Sequence, residues 1–433
     1  MAKTDVILSG IMNNFPVKTS TGCRLKWAWS TIFLSRSTTA SCHRVKQDRL
    51  TLDTFDQFHN LPRKLNDRKL MQEGQWPGLG CEYCKNIEDA GGYSDRQAHL
   101  QDEFNNLTTV ESLADPNAIE VTPRLLEVYF NNTCNFKCLY CGPWFSSKIA
   151  AELKMHGPME TIEWQDQFDQ WQMNPTYNLM VEKLWIWLKE HRHKIHTLQV
   201  LGGEPLLQKE FEDCLSFFDD NPSPNLNLVI VTNLSSTDEK MDYFINRFKQ
   251  LLAKRKLKGI QITASLDCWG EQSEYIRSGL DLKQWERNFK KLLAVKWINL
   301  QINHAINVLS IKYMPEMLLK IKEWNSIRKI YSNFMTVQLP LFMNPALFNN
   351  DIFDKDFEII NSLMLDDSTH DKNIKKYMEG IQQQISSTKP NIEEIVNLKK
   401  YLEDIDKRRK TDYTKLFPWL VEEFNKTIDT SKQ

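Results

Sequence analysis

The chain has 433 residues, 41% of them hydrophobic, and a formal net charge of −1. That is enough apolar material for a large core in two or three domains, and a charge that gives no general attraction to nucleic acid or to a membrane surface. No apolar run approaches the roughly 18 residues of a membrane span. The segment from Met1 to Val17 lacks a sustained apolar core, so no secretory leader is expected, and a cytoplasmic, reducing location follows. The nine cysteines therefore read as metal ligands or free thiols, not disulfides.

In chain order, the first third carries a cysteine set. Cys23 precedes Lys26-Trp27-Ala28-Trp29, Cys42 stands beside His43, and Cys81 and Cys84 follow Gly78-Leu79-Gly80. Four cysteines suffice for one closed site. An iron-sulfur cluster, a zinc site built from Cys42, Cys81 and Cys84 with Cys23 or His43, and free thiols all fit this count.

A strand is predicted from Leu125 to Phe130, and after it comes the stretch Asn131-Asn132-Thr133-Cys134-Asn135-Phe136-Lys137-Cys138-Leu139-Tyr140-Cys141. Its C-x3-C-x2-C spacing puts three thiolates on one tight loop. Such a loop can hold three irons of a cubane cluster and leave the fourth open to another ligand. A structural zinc is the alternative, but it wants four ligands, and the next cysteine is Cys214.

Further β-rich runs recur at Thr197 to Leu201, Leu226 to Val231, Gly259 to Leu266, Leu300 to Val308 and Phe334 to Leu341. The gaps between them are long enough for a helix each, so six strand-helix units imply a parallel sheet in an open, partial (β/α)6 barrel. Chemistry in such folds sits at the carboxyl ends of the strands. Gly202-Gly203-Glu204-Pro205, Thr232-Asn233 and Ser265-Leu266-Asp267 all fall at such ends, and Tyr275-Ile276-Arg277-Ser278-Gly279 follows.

With these motifs in this order, the chain resembles the radical S-adenosylmethionine (radical SAM) superfamily over about residues 124 to 343. The resemblance implies that Cys134, Cys138 and Cys141 hold a [4Fe–4S] cluster, with Tyr140 as the aromatic residue before the third cysteine. It implies that Gly202, Gly203 and Glu204 bind the amino group of S-adenosylmethionine, that Asn233 and Ser265 orient the cofactor, and that Arg277 lies near its methionyl carboxylate. By the same resemblance, reductive cleavage gives methionine and a 5'-deoxyadenosyl radical, and a flavodoxin or ferredoxin type donor supplies the electron. Read singly, the glycines also suit any tight turn, Glu204 and Asn233 any helix cap, and Arg277 a surface ion pair.

The amino-terminal cysteines Cys23, Cys42, Cys81 and Cys84 resemble the auxiliary-cluster segments called twitch or SPASM modules, set here before the barrel; no cysteine follows Cys268. That resemblance implies a second [4Fe–4S] cluster, or zinc in its place, and a peptide or protein substrate. A small metabolite or nucleotide precursor, and a non-catalytic iron-sulfur or zinc binding protein, are the rival readings. Cys214, among Phe211, Leu215, Phe217 and Phe218, reads as a core residue. Cys268 follows a strand end and reads as a thiol able to return a hydrogen atom to a substrate radical. Of the thirteen tryptophans, most read as packing residues; Trp144, three residues past Cys141, is expected nearest the cofactor, while Trp164 and Trp171 belong to the front-half concentration. The expected organisation is a cysteine-rich module over 1–115, the barrel over 120–345 and a helical carboxyl extension over 346–433.

Overall fold

In the structure, a computed structural model, residues 19–78, 80–89, 94, 96–97, 118–162, 174–348, 350–364 and 369–430 are described. Trp164, Trp171 and the segment Met1 to Val17 lie outside them. The strands are β1 (Trp29–Phe33), β2 (Thr38–Ala40), β3 (Asp48–Arg49), β4 (Leu125–Tyr129), β5 (Lys137–Cys138), β6 (Thr197–Leu201), β7 (Ser223–Thr232), β8 (Leu257–Ser265), β9 (Arg277–Ser278), β10 (Asn299–Ile306) and β11 (Tyr331–Thr336). β7 and β8 each bury five consecutive residues, Leu226 to Ile230 and Ile260 to Ala264. Continuous burial of this kind is the mark of a sheet covered on both faces. The fold is α/β, a large and mostly parallel sheet with helices, arranged as a partial barrel.

The chain divides into two compact units. The first draws on Met1–Asn131, Met173–Ile230 and Asn246–Gln261, and the second on Asn132–Gln172, Val231–Ile245 and Ile262–Gln433. In the first, the strand order is β8-β7-β6-β4-β1-β2-β3. β4 pairs in parallel with both β1 and β6, and β6 with β7, whereas β1, β2 and β3 form an antiparallel meander. β1 carries no clear strand signal in the sequence; Trp29 to Phe33 pairs residue for residue with Leu125 to Tyr129. Behind these strands the helix Pro62–Gln72 buries Lys64, Asp67 and Arg68. Arg68 donates to the carbonyls of Lys26, His59 and Ile119, and Lys64 to the Phe58 carbonyl and the hydroxyls of Ser30 and Thr39, so each buried donor has its acceptors.

In the second unit β11 pairs in parallel with β10, from Gln301↔Tyr331 to Ile306↔Thr336, and the Leu266 amide at the end of β8 donates to the Asn303 carbonyl of β10. β11 therefore begins at Tyr331 and ends before Pro340, where the apolar run alone suggested Phe334 to Leu341. Register with β10 decides its bounds, and Pro340 lacks the amide that a ladder needs. Trp285, Phe289 and Trp324 pack ring against ring with centroids 4.5–5.8 Å apart, and Trp269 joins them at 5.7 Å from Trp324. The carboxyl segment forms the helices Asp354–Leu363, Thr369–Ser387, Ile392–Arg409, Tyr413–Leu416 and Pro418–Thr430, all within this unit. Among the described residues no helix is long and apolar enough to cross a membrane.

His304, on β10, is fully buried, and its ring stacks on Phe334 with centroids 4.5 Å apart. Burial pushes its pKa down to about 4, against the pull of the Asp267 carboxylate. The unfolded imidazole takes its proton below about pH 6.5 and the folded one only near 4, so stability is lost as pH falls through that window. His304→Phe should remove this loss. Urea unfolding at pH 7 and pH 5 is expected to show the wild type losing about 2 kcal/mol relative to the variant; parallel losses in the two proteins would refute the assignment.

Candidate metal and cofactor site

The first unit brings together the four amino-terminal cysteines. Cys23 precedes the short helix Arg24–Ala28, Cys42 lies just past β2, Cys81 precedes the helix Glu82–Asp89, and Cys84 lies inside it. All four line one pocket, together with Lys26, Arg44 and Arg96. Cys23, Cys81 and Cys84 are buried, Cys42 half-buried, and all nine cysteines are free of disulfides. Burial pushes the Cys23 thiol up to about 12 and the Cys42 thiol up to about 11; it also raises Cys81, against the pull of the Lys26 ammonium. Lys26 is bonded to Asp67 at 2.5 Å, and Arg96 to Glu88 and to the Gly22 carbonyl. With Asp67 and Glu88 counted, the three cations leave one positive charge beside the four thiols, which offsets part of the negative charge that a metal-thiolate centre would bring.

His43 is engaged elsewhere. Its Nε2 lies 2.7 Å from Oε2 of Glu127, a fully buried carboxylate in the middle of β4. Thr31 donates to the same oxygen at 2.6 Å and Gln199 to the other at 3.1 Å. Burial pushes the Glu127 carboxyl up, but His43 and these bonds outweigh it, and the net shift is downward. Sequence reasoning missed Glu127, although a charge inside an apolar run was the signal.

At the end of β6, Gly202 has φ +86°, and a Cβ there would lie 2.1 Å from a Tyr129 ring carbon. Gly203 also has positive φ, at +58°. Only glycine suits the first of these on both counts. Glu204 is buried, and its carboxylate accepts from the Leu206 amide at 3.1 Å, capping the turn Pro205–Leu207. Gln208 donates to the carbonyls of Gly202 and Asn131, which fixes the turn from behind.

In the second unit the loop from Asn132 to Pro143 carries Cys134, Cys138 and Cys141, all half-buried. Its backbone carbonyls are bonded away one after another. The Cys134 carbonyl accepts from Ser147 Oγ, Phe136 from Ser146 Oγ, Lys137 from Arg409, Cys138 from the Cys141 amide, and Leu139 from Tyr401. β5 pairs antiparallel with β9, Cys138 opposite Arg277, and the Leu139 amide donates to the Ile276 carbonyl. Gly279, with φ +108°, passes so close that a Cβ would lie 2.8 Å from the Asn135 carbonyl oxygen.

Beside this loop Asp267 is fully buried and accepts four hydrogen bonds: two from Arg277 at 2.8 and 3.0 Å, one from Tyr140 at 2.6 Å, and one from the Ala305 amide at 2.9 Å. Arg277 thus turns its guanidinium to Asp267. Burial raises the Cys138 thiol, opposed by Arg277 and Arg409, and raises Cys141 well above its ordinary value. Asn233 donates to Asn135 of the loop at 2.9 Å and accepts from the Ser235 hydroxyl at 2.6 Å, while Asn135 donates to Ser235 at 2.7 Å. Tyr140, Asn233 and Arg277 are therefore all tied to the cysteine loop or its support. Ser265 ends β8, half-buried, and Trp144 is half-buried past the loop. Cys268 is fully buried, and burial holds its pKa well up; Cys214 is buried as a core residue.

Among the described residues no group of three or more His, Cys, Asp and Glu side chains is set to hold one metal ion. The thiolates of a cubane need no convergence on a single point, because each binds a different iron. A loop with three thiols and five of its carbonyls engaged by other donors fits that use, with the Gly142 carbonyl left to the Cys141 thiol.

Residues 128–309 match the family model of the Radical SAM superfamily. No curated protein matches the chain. Among solved structures, it is similar to native anSMEcpe with bound AdoMet and Kp18Cys peptide, at 18% identity and a TM-score of 0.36, covering 59% of this chain and 62% of that one. It is similar also to Streptococcus suis SuiB bound to precursor peptide SuiA, at 13% identity and a TM-score of 0.36, covering 74% and 64%. SuiB bound to S-adenosylmethionine gives 12% identity, a TM-score of 0.36 and coverage of 77% and 69%. The chain thus spans less than two thirds of the first two.

Sequence reasoning also missed Tyr401 and Arg409, which lie far along the chain from the carbonyls they bind, and it saw Asp267 only as part of a motif. Asp267→Asn would keep the shape but leave the buried Arg277 cation without its counter-charge. Denaturant unfolding should show a loss of about 3–5 kcal/mol, partly recovered in Asp267→Asn/Arg277→Gln. A loss below about 1 kcal/mol would mean the pair is not held as described.

Proposed function

We propose that this chain is a radical SAM enzyme that cleaves S-adenosylmethionine reductively and takes a hydrogen atom from a peptide or protein side chain. The observation that carries this reading is the loop of Cys134, Cys138 and Cys141 inside the stretch that matches the radical SAM family model, with the carbonyls flanking Cys138 bonded to other donors. These three cysteines would hold a [4Fe–4S] cluster. When bound with S-adenosylmethionine, that cluster supplies the low-potential electron that yields a 5'-deoxyadenosyl radical. Gly202 and Gly203 would offer backbone to the cofactor's amino group, with Glu204 as its counter-charge, and Asn233, Ser265 and Arg277 would orient the rest. Tyr140 holds the loop to Asp267. A flavodoxin or ferredoxin type protein would be the electron donor.

Cys23, Cys42, Cys81 and Cys84 would hold a second, auxiliary cluster, a reading supported by their common cavity and its three cations. The peptide substrate rests on that module. Cys268, kept as a thiol by burial, would return the hydrogen atom. After anaerobic reconstitution with iron and sulfide, then dithionite and S-adenosylmethionine, the wild type should form 5'-deoxyadenosine and Cys138→Ala none; equal product from both sinks the proposal. Iron and acid-labile sulfide per chain should fall in Cys81→Ala/Cys84→Ala, whereas unchanged iron removes the auxiliary cluster and a zinc signal replaces it. In deuterated buffer, Cys268→Ala should lose solvent label from the product.

A further inference from the structure

We propose that the helix Ile392–Arg409 is a clasp that sets the cysteine loop for its cluster, with Tyr401 and Arg409 as positioning residues. The proposal rests on the reading that this loop holds a cluster. Lys137 and Leu139 flank Cys138, and their carbonyls are the two that the helix takes: Arg409 Nη1 donates to Lys137 at 2.9 Å and Tyr401 to Leu139 at 2.7 Å. The remaining guanidinium donors of Arg409 bind both oxygens of Glu152, at 3.1 and 2.8 Å, and Lys137 Nζ binds Glu152 at 2.6 Å. The side chains of Arg409 and Glu152 are 5% and 4% exposed, so water does not compete for these bonds.

The physical need is local. An iron-thiolate core is anionic and accepts N–H bonds, so a carbonyl oxygen turned toward it would be repelled. The bonds to Tyr401 and Arg409 commit the two carbonyls beside Cys138 to other donors. The same helix also holds the short helix Glu271–Ile276 that leads into β9, because Asp406 accepts from Tyr275 at 2.9 Å, two residues before Arg277. The apolar face of Ile395, Leu398, Leu402 and Ile405 seats the helix, and Tyr401 rests against Phe342 with ring centroids 5.0 Å apart. Charge adds a second effect. Lys137, Arg409 and Glu152 together carry one positive charge, which favours the more negative, reduced cluster.

The test uses the reconstituted full chain. Tyr401→Phe keeps the ring against Phe342 and removes one hydrogen bond; Arg409→Gln removes the charge, Arg409→Lys keeps it, and Lys407→Ala, exposed in the same last turn, serves as control. Before iron is added, hydrogen exchange of the peptide containing residues 134–141 should quicken at least threefold in Tyr401→Phe and Arg409→Gln. After reconstitution, the paramagnetic signal that responds to S-adenosylmethionine should change shape in both. Its midpoint potential should move to more negative values in Arg409→Gln and return most of the way in Arg409→Lys. Wild-type exchange, signal and potential in Tyr401→Phe and Arg409→Gln would overturn the clasp while leaving the proposed function standing. Should Arg409→Gln fail to fold, Tyr401→Phe decides alone. A wild type with no S-adenosylmethionine-responsive signal overturns both.

Discussion

A cluster on the three thiols of the short loop, as proposed, would place a demand on the backbone that carries them, and the second unit supplies donors to that backbone. A peptide chain has as many carbonyl oxygens as amides, and an anionic centre tolerates only the amides at close range. Five carbonyls between Cys134 and Leu139 each find a donor: two serine hydroxyls at the start of the helix Ser147–His156, one backbone amide, one tyrosine and one arginine. Ser146 does two things at once, donating to Phe136 and accepting from the Ile149 amide as a helix cap. The loop is thus built from its surroundings inward.

Charge around the loop follows the same logic. Arg277 and Tyr140 both bind Asp267, and the Ala305 amide completes its shell, so the buried carboxylate has a full complement of donors. Because Arg277 also pairs through its backbone with Cys138, the ion pair joins the end of β8 to the cysteine loop through one residue. The amino-terminal cysteines sit in a different setting. Their cavity is walled by Lys26, Arg44 and Arg96, and the first and last of these are themselves fixed by Asp67 and Glu88.

Much of this was legible in the sequence where the signal is local. Continuous apolar runs gave β4 and β6 to within a residue and the buried centres of β7, β8 and β10, whose ends lie up to three residues away, because burial on both faces leaves an unbroken run. β1 escaped notice because Trp29-Ser30-Thr31-Ile32-Phe33 is half polar; its strand character comes from pairing with β4, a partner almost a hundred residues away. β11 was misplaced for a similar reason, since Tyr331, Ser332 and Asn333 carry no apolar signal and enter the strand through register with β10. The cysteine triplet was plain from its spacing, and the donors that shape its backbone were not. Tyr401 lies 262 positions from Leu139 and Arg409 lies 272 from Lys137, separations at which no periodicity speaks.

Glu127 has a consequence for how the strands find one another. Its carboxylate binds Thr31 on one neighbouring strand and Gln199 on the other, the residues directly opposite it in the two ladders. Sliding either strand by one position would turn that polar partner to the opposite side of the sheet, and on β6 it would confront the anion with Leu198 or Val200. The remaining residues of β4 and β6 are mostly apolar and would accept several alignments, and a single acid acts as the key that admits one.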